Sequence, residues 1–164
     1  MIDKLLRILE NKENALDAVA LVPGPNFRHV TGGQFFLMER PFVIFISKFH
    51  KPVAVVPVLE VSNFTKLNFD ADTIEWQDND GFQHAFDKAL KILGDNFTLG
   101  IEGQLMRAFE MQAITKASKN VDIKNAHKIA VLSEGRIVEQ GTHEELMTKE
   151  GAYFNQVKSQ EITA

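Results

Sequence analysis

Residues 17–33 read DAVALVPGPNFRHVTGG, and the fold turns on how this stretch is understood. Ala18, Val19, Ala20, Leu21 and Val22 form an unbroken apolar run of strand length. A strand apolar on both faces belongs in the middle of a sheet that is covered on both sides. Pro23-Gly24-Pro25 stops the run, because proline removes a backbone donor and glycine admits φ > 0. Asn26 then opens a short helical step or turn that ends at Gly32-Gly33.

Outward from this strand, elements of both kinds alternate. Upstream, Ile2, Leu5, Leu6 and Leu9 recur at helical spacing and predict a surface helix over 2–13. Downstream, Gln34 to Pro41 is a loop carrying Phe35, Phe36, Leu37 and Met38 between Arg28 and Arg40. Phe42–Ile46 and Pro52–Pro57 are strands separated by about five residues, hence an antiparallel hairpin. A helix follows over 58–67 and a short strand over 73–76. Phe82, Ala85, Phe86, Ala89, Leu90 and Leu93 trace the apolar face of a helix over 81–93, with Gly94 as its stop. FTLGIE (97–102) is a strand, 104–118 a helix and 121–123 a last strand. The pattern predicts an α/β domain with a mixed sheet and helices on both faces.

From Asn125 the style changes. Ile129–Leu132, a turn at 133–136 and Ile137-Val138 predict a second hairpin. Thr142 and Glu145 have the spacing of a capping box, and 152–160 is one more helix. The division is therefore 1–124 for the α/β domain and 125–164 for a hairpin and helical appendage.

Composition narrows the function. The 164 residues carry a net charge of −4 with no basic cluster, which argues against nucleic acid as a partner. There is no cysteine, so disulfides and thiolate chemistry are excluded, in keeping with a cytoplasmic protein. The N-terminus lacks the apolar core of a signal peptide, and no run approaches the roughly 18 apolar residues of a membrane span.

Catalytic patterns are missing. His29, His50, His84, His127 and His143 include no helical metal pair, and His143-Glu144 lacks the second histidine of a zinc-peptidase motif because position 147 is Met147. There is no phosphate loop and no nucleophile elbow. Asp70, Asp72, Glu75, Asp78 and Asp80 lie across a loop and a strand without calcium-loop spacing, as a solvated face would. Gly32-Gly33 reads as a loop-closing pair, for which glycine's conformational freedom suffices. What remains is a candidate contact surface, set against the plainer reading that the phenylalanines are core and the arginines surface. Arg28, His29, Phe35, Phe36 and Arg40 combine cations with aromatics around one loop, a combination that grips carboxylates or stacks in interfaces.

Two resemblances follow from these residues. ALVPGPNFRHVTGG, FVIFIS, PVAVVP, Leu59-Glu60 and LGIEG (99–103), in this order, resemble the N-terminal domain of the creatinase/prolidase/aminopeptidase P family. Asn26, Thr31 and Gly32 match that family's Asn-x-x-Tyr-x-Thr-Gly, while His29 stands at its tyrosine. The run GRIVEQGTHEEL, within 125–160, resembles the C-terminal end of an ABC-transporter ATP-binding domain of the exporter type. The first resemblance implies an accessory domain that dimerises or caps the active site of a Xaa-Pro metallopeptidase. That family's two divalent metals would sit in a separate catalytic domain expected to be absent here. No catalytic, cofactor or metal residue is therefore assigned, and the chain is expected not to be an enzyme on its own. Its expected partner is a second copy or a peptidase catalytic domain, with no membrane insertion. The second resemblance implies a transporter fragment without its phosphate loop, hence without ATPase activity. A purely structural chimera of the two pieces is the remaining alternative. The hairpin at 129–138, cut from its parent, must either cover its apolar residues or leave them mobile.

Overall fold

The computed structural model describes residues 5–6, 9, 16–126, 129–133, 136–141 and 143–161. The chain divides into two compact units, Met1–Lys124 and Asn125–Ala164.

The first unit is built on six strands: β1 (Ala18–Leu21), β2 (Val43–Ser47), β3 (Val53–Pro57), β4 (Asp72–Trp76), β5 (Thr98–Ile101) and β6 (Asp122–Asn125). Their order across the sheet is β4-β3-β2-β1-β5-β6, so the opening strand is central. β1 runs antiparallel to β2, with Val19 opposite Ile46, and parallel to β5, with Val19 opposite Gly100. β2 and β3 form the expected antiparallel hairpin, and β3 runs parallel to β4. The sheet is mixed, as the alternation of elements predicts.

Helices that cover it include α1 (Pro25–Thr31), α2 (Val58–Thr65), α3 (Gln83–Leu93) and α4 (Ala108–Ala117). The pleat sorts side chains by period two. Ala18, Ala20, Val43, Phe45, Val53 and Val55 pack with α3 and α4 through Phe86, Leu90, Ala113 and Ile114. Val19, Leu21, Ile44, Ile46, Ala54 and Val56 face the other way, onto Phe27 of α1 and Phe64 of α2. Both faces of β1 are therefore buried, which is what its unbroken apolar run requires. Each large side chain enclosed this way contributes about 1.5–3 kcal/mol relative to exposure.

Of the expected leading helix, Leu5, Leu6 and Leu9 are helical and Leu9 is buried on the α1 side; its remaining residues lie outside the described ones. The helix expected from 104 begins at Ala108. The Glu102 carbonyl first accepts the amides of Leu105 and Met106 at 2.8 Å in a turn, and Arg107 is extended.

The second unit holds an antiparallel hairpin, β7 (Ile129–Ser133) with β8 (Arg136–Gly141), irregular between Val131 and Leu132. Two helices follow, α5 (His143–Lys149) and α6 (Ala152–Glu161). The Glu139 carboxylate accepts the amides of Ala152 (2.5 Å) and Tyr153 (3.0 Å), satisfying donors at the start of α6. Those bonds hold its pKa below the ordinary glutamate value. Thr142 of the expected capping box and His127 lie outside the described residues. No helix among the described residues is long and apolar enough to cross a membrane.

Candidate functional site

β1 and β5 run parallel and are adjacent, and their following helices pass to opposite faces: Phe27 of α1 joins one core, Ile114 of α4 the other. Such a divergence is where open α/β sheets usually leave a crevice. Here it is bridged. Glu102, 6% exposed at the end of β5, accepts from the Asn26 amide group at 2.8 Å through Oε1 and from the Val22 backbone N–H at 3.4 Å through Oε2. The bridge fixes the direction in which α1 leaves the sheet.

α1 starts with proline at its first turn and ends on Gly32 in the left-handed region, φ 78°. Thr31 seals the end: its hydroxyl donates to the Phe27 carbonyl at 2.9 Å and accepts from the Gly33 amide at 3.1 Å. The two glycines have different jobs. Gly32 needs its backbone angle and has open space where a side chain would be. Gly33 has no positive φ, but a Cβ there would meet Leu67 Cδ1 at 2.3 Å and the Phe35 ring at 2.9 Å. Conformational freedom, the reading expected for both, accounts for Gly32; close packing accounts for Gly33.

This short helix and the chain after it form an open depression of about 630 Å³, lined by Gly24, Pro25, Arg28, His29, Gly32, Gln34, Phe35 and Phe36. Four of the five residues singled out from the sequence therefore lie together: Arg28, His29, Phe35 and Phe36. Arg28 and His29 are exposed, and neither side chain has a hydrogen bond or ion pair among the described residues. Phe36 stands 73% exposed, and Met38 beside it 58%. Phe35 turns inward instead. Its ring packs edge-to-face on Phe27 at 5.7 Å and Phe42 at 4.9 Å, so it floors the depression as part of the core.

Arg40 does not line this depression. Its guanidinium grips Asp78, Nε to Oδ1 at 3.0 Å and Nη2 to Oδ2 at 2.7 Å, and also pairs with Glu39. The pairing holds the Asp78 carboxyl below its ordinary range. Arg40 thus works as an anchor at the end of the loop. Asp70 and Asp72 likewise face Lys51, at 2.7 and 3.5 Å.

The second anchor is invisible to sequence patterns that track apolar residues. Arg107 donates to the Met38 carbonyl through Nη1 and to the Glu110 carboxylate through Nε (3.2 Å) and Nη2. Glu110 is fully buried and also accepts the Arg107 amide at 2.8 Å, the return arm of a capping box. The three-residue spacing of Arg107 and Glu110 at a helix start is the one signal that points to it. Among the described residues, no group of three histidine, aspartate, glutamate or cysteine side chains is placed to hold a metal ion.

Comparison with known proteins bears on this geometry. The sequence matches the Creatinase/Prolidase N-terminal domain family over residues 1–138. The fold is similar to that of a Creatine_N superfamily domain of a dipeptidase from Streptococcus thermophilus, at 17% identity and TM-score 0.63, covering 76% of this chain and 90% of that one. It is also similar to a dipeptidase from Pyrococcus horikoshii, at 22% identity and TM-score 0.64, where 76% of this chain covers 33% of the other. At these identities the likeness shows the fold alone. Among curated sequences, the ABC-type transporter MDR1 of Aureobasidium melanogenum is 44% identical over 68 residues, covering 38% of this chain and 5% of that protein. The chain thus spans a small fraction of the length of the transporters it matches. That 38% is a larger share than residues 125–164 make up, and the peptidase-family match also runs past Lys124.

Proposed function

The chain belongs to the Creatinase/Prolidase N-terminal domain family, and from that premise we propose that it is a cytoplasmic, non-catalytic accessory domain. It presents the depression at 24–36 and the exposed Phe36-Met38 pair to a partner, which is either a second copy of this chain or the catalytic domain of a Xaa-Pro metallopeptidase. One observation carries the reading. Arg28 and His29, without a side-chain hydrogen bond or ion pair among the described residues, sit beside an exposed aromatic on a loop tied down at Met38 and Arg40. Interfaces favour such a grouping of aromatic and arginine side chains.

The test is twofold. Light scattering at rising concentration should show self-association, or a supplied peptidase catalytic domain should co-elute with the chain. A monomer that binds no such domain overturns the contact role. Xaa-Pro dipeptides with Mn²⁺ should show no turnover above background; turnover that survives purification overturns the non-catalytic role.

A second reading rests on the transporter matches: residues around the hairpin are a remnant of an ATP-binding subunit without its phosphate loop. Calorimetric titration with ATP separates the two readings. Saturable binding at micromolar nucleotide would favour the transporter reading.

A further inference from the structure

The loop 34–40 poses a physical problem. Its two outermost side chains, Phe36 and Met38, are exposed and give the loop no fixation by burial. A segment whose exposed side chains gain little from burial ordinarily samples many conformations, and ordering it on contact weakens that contact. Phe35 and the half-buried Leu37 pack inward, and at the Met38 carbonyl the loop is held by a hydrogen bond from a residue 69 positions away.

We propose that Arg107 is the positioning residue of this surface. Braced by the buried Glu110, it holds the backbone of the loop at the Met38 carbonyl, so that Phe36 and Met38 stand outward as a preformed apolar contact. The use assigned to this device rests on the contact reading above; its test does not.

Three features fix the guanidinium. Glu110 is fully buried, so its carboxylate requires a charged partner, and Arg107 supplies two donors to it. The Phe109 ring lies beneath, its centroid 4.3 Å from the guanidinium carbon. The planar fork, clamped on one edge by Glu110, is left with Nη1 directed at the Met38 carbonyl. Lysine could answer the charge of Glu110 but has no rigid fork to aim a second donor at the loop. Two residues on, Arg40 ties the loop to Asp78 through an exposed pair, which water and salt weaken.

The test uses the full chain and no partner. Chymotrypsin cleaves after exposed phenylalanine, leucine and methionine, so cutting within 36–38 reports release of the loop. Cutting after Phe45 and Phe86, both buried, reports general unfolding. Arg107→Gln should raise cleavage within 36–38 by about tenfold or more, with cleavage after Phe45 and Phe86 unchanged. Arg107→Lys should fall between Arg107→Gln and the parent chain, and Arg40→Gln should have a smaller effect than Arg107→Gln. If Arg107→Gln does not fold, the pair Arg107→Gln with Glu110→Gln removes the uncompensated buried charge and keeps the readout. The proposal is overturned if loop cleavage stays at the parent rate, if it rises in proportion with cleavage after Phe45 and Phe86, or if Arg40→Gln releases the loop more than Arg107→Gln. Because cleavage is read without association, loss of the contact reading would leave this result standing, and the reverse also holds.

Discussion

Asn26 and Thr31 turn their side chains to partners within the fold, Glu102 and the Phe27 carbonyl, whereas Phe36 and Met38, a few residues later, hold most of their surface in solvent. The two stretches, 17–33 and 34–40, are neighbours in sequence and are ordered by different means. The first is ordered from within, by a strand buried on both faces and a helix end sealed by its own threonine. The second packs one ring, Phe35, inward and is otherwise tied down from outside, by Arg107 at the Met38 carbonyl and by Asp78 at Arg40. The contrast teaches that the residues carrying the family resemblance are architectural here. They aim the chain, and the stretch they aim carries the exposed Phe36 and Met38 on which the proposed contact rests.

The comparison breaks most severely in the core beneath the first stretch. Phe27 is fully buried and meets Phe42 edge-to-face at 5.0 Å. Phe27→Ala should destabilise the fold by about 3–5 kcal/mol, because the cavity adds to the lost transfer energy. Urea unfolding followed by far-ultraviolet circular dichroism measures it. A loss below about 1 kcal/mol would mean that α1 is not docked as described.

Next in size come the adjacent glycines, which sharpen the same point. Gly33→Ala should cost about 1–3 kcal/mol through collision with Leu67 and Phe35. Gly32→Ala should cost about 1–2 kcal/mol through its left-handed backbone. Asparagine separates the causes, since it tolerates the left-handed region but is bulkier than alanine. Gly32→Asn should be milder than Gly32→Ala, and Gly33→Asn harsher than Gly33→Ala. The opposite ranking at either site would reassign that glycine.

Much of the first stretch was legible in the sequence, and the reason is periodicity. Apolar runs marked β1, β2, β3 and β5, and the spacing Phe82 to Leu93 marked α3, because burial of those residues is what forms the elements. The loop's anchors were not legible in that way. Asp78 lies 38 residues from Arg40, and only the fold brings them together. Glu110 sits in a helix where a carboxylate ordinarily faces water, yet it is buried with Arg107. Phe35 and Phe36 are identical in sequence terms and opposite in placement, one flooring the depression and the other exposed. In the second unit the hairpin was legible from two apolar runs flanking a turn, and Glu139 capping α6 was not, because that contact joins residues 13 and 14 apart.

A smaller effect belongs to the start of the first stretch. Asp17 pairs with Lys48 at 2.8 Å and accepts the Thr98 amide at 2.9 Å. The Lys48 hydrogen bond foremost, then the Thr98 amide, holds its pKa below the ordinary value. The stabilisation is therefore complete above the ordinary aspartate pKa of about 3.9 and is lost as pH falls through the lower folded-state value. Asp17→Asn should cost about 1–2 kcal/mol at neutral pH. The gap from the parent chain should close only below about pH 4. A gap that closes between pH 5 and 7 instead would assign the titration to another group.

The smallest effect on stability is expected in the second stretch, and there it carries the most information. Phe36 is exposed, so Phe36→Ala should leave the urea midpoint within about 0.5 kcal/mol of the parent. The same substitution should weaken partner association by tenfold or more if the ring anchors a contact, since a central aromatic contributes about 2 kcal/mol or more to an interface. Sedimentation velocity across a concentration series measures the second quantity, and unfolding measures the first. Loss of stability together with association would make Phe36 a core residue after all. Unchanged stability with unchanged association would remove the ring from the contact and leave Arg28 and His29 to carry it. Only a change in association with stability held constant upholds the division between a stretch that aims and a stretch that touches.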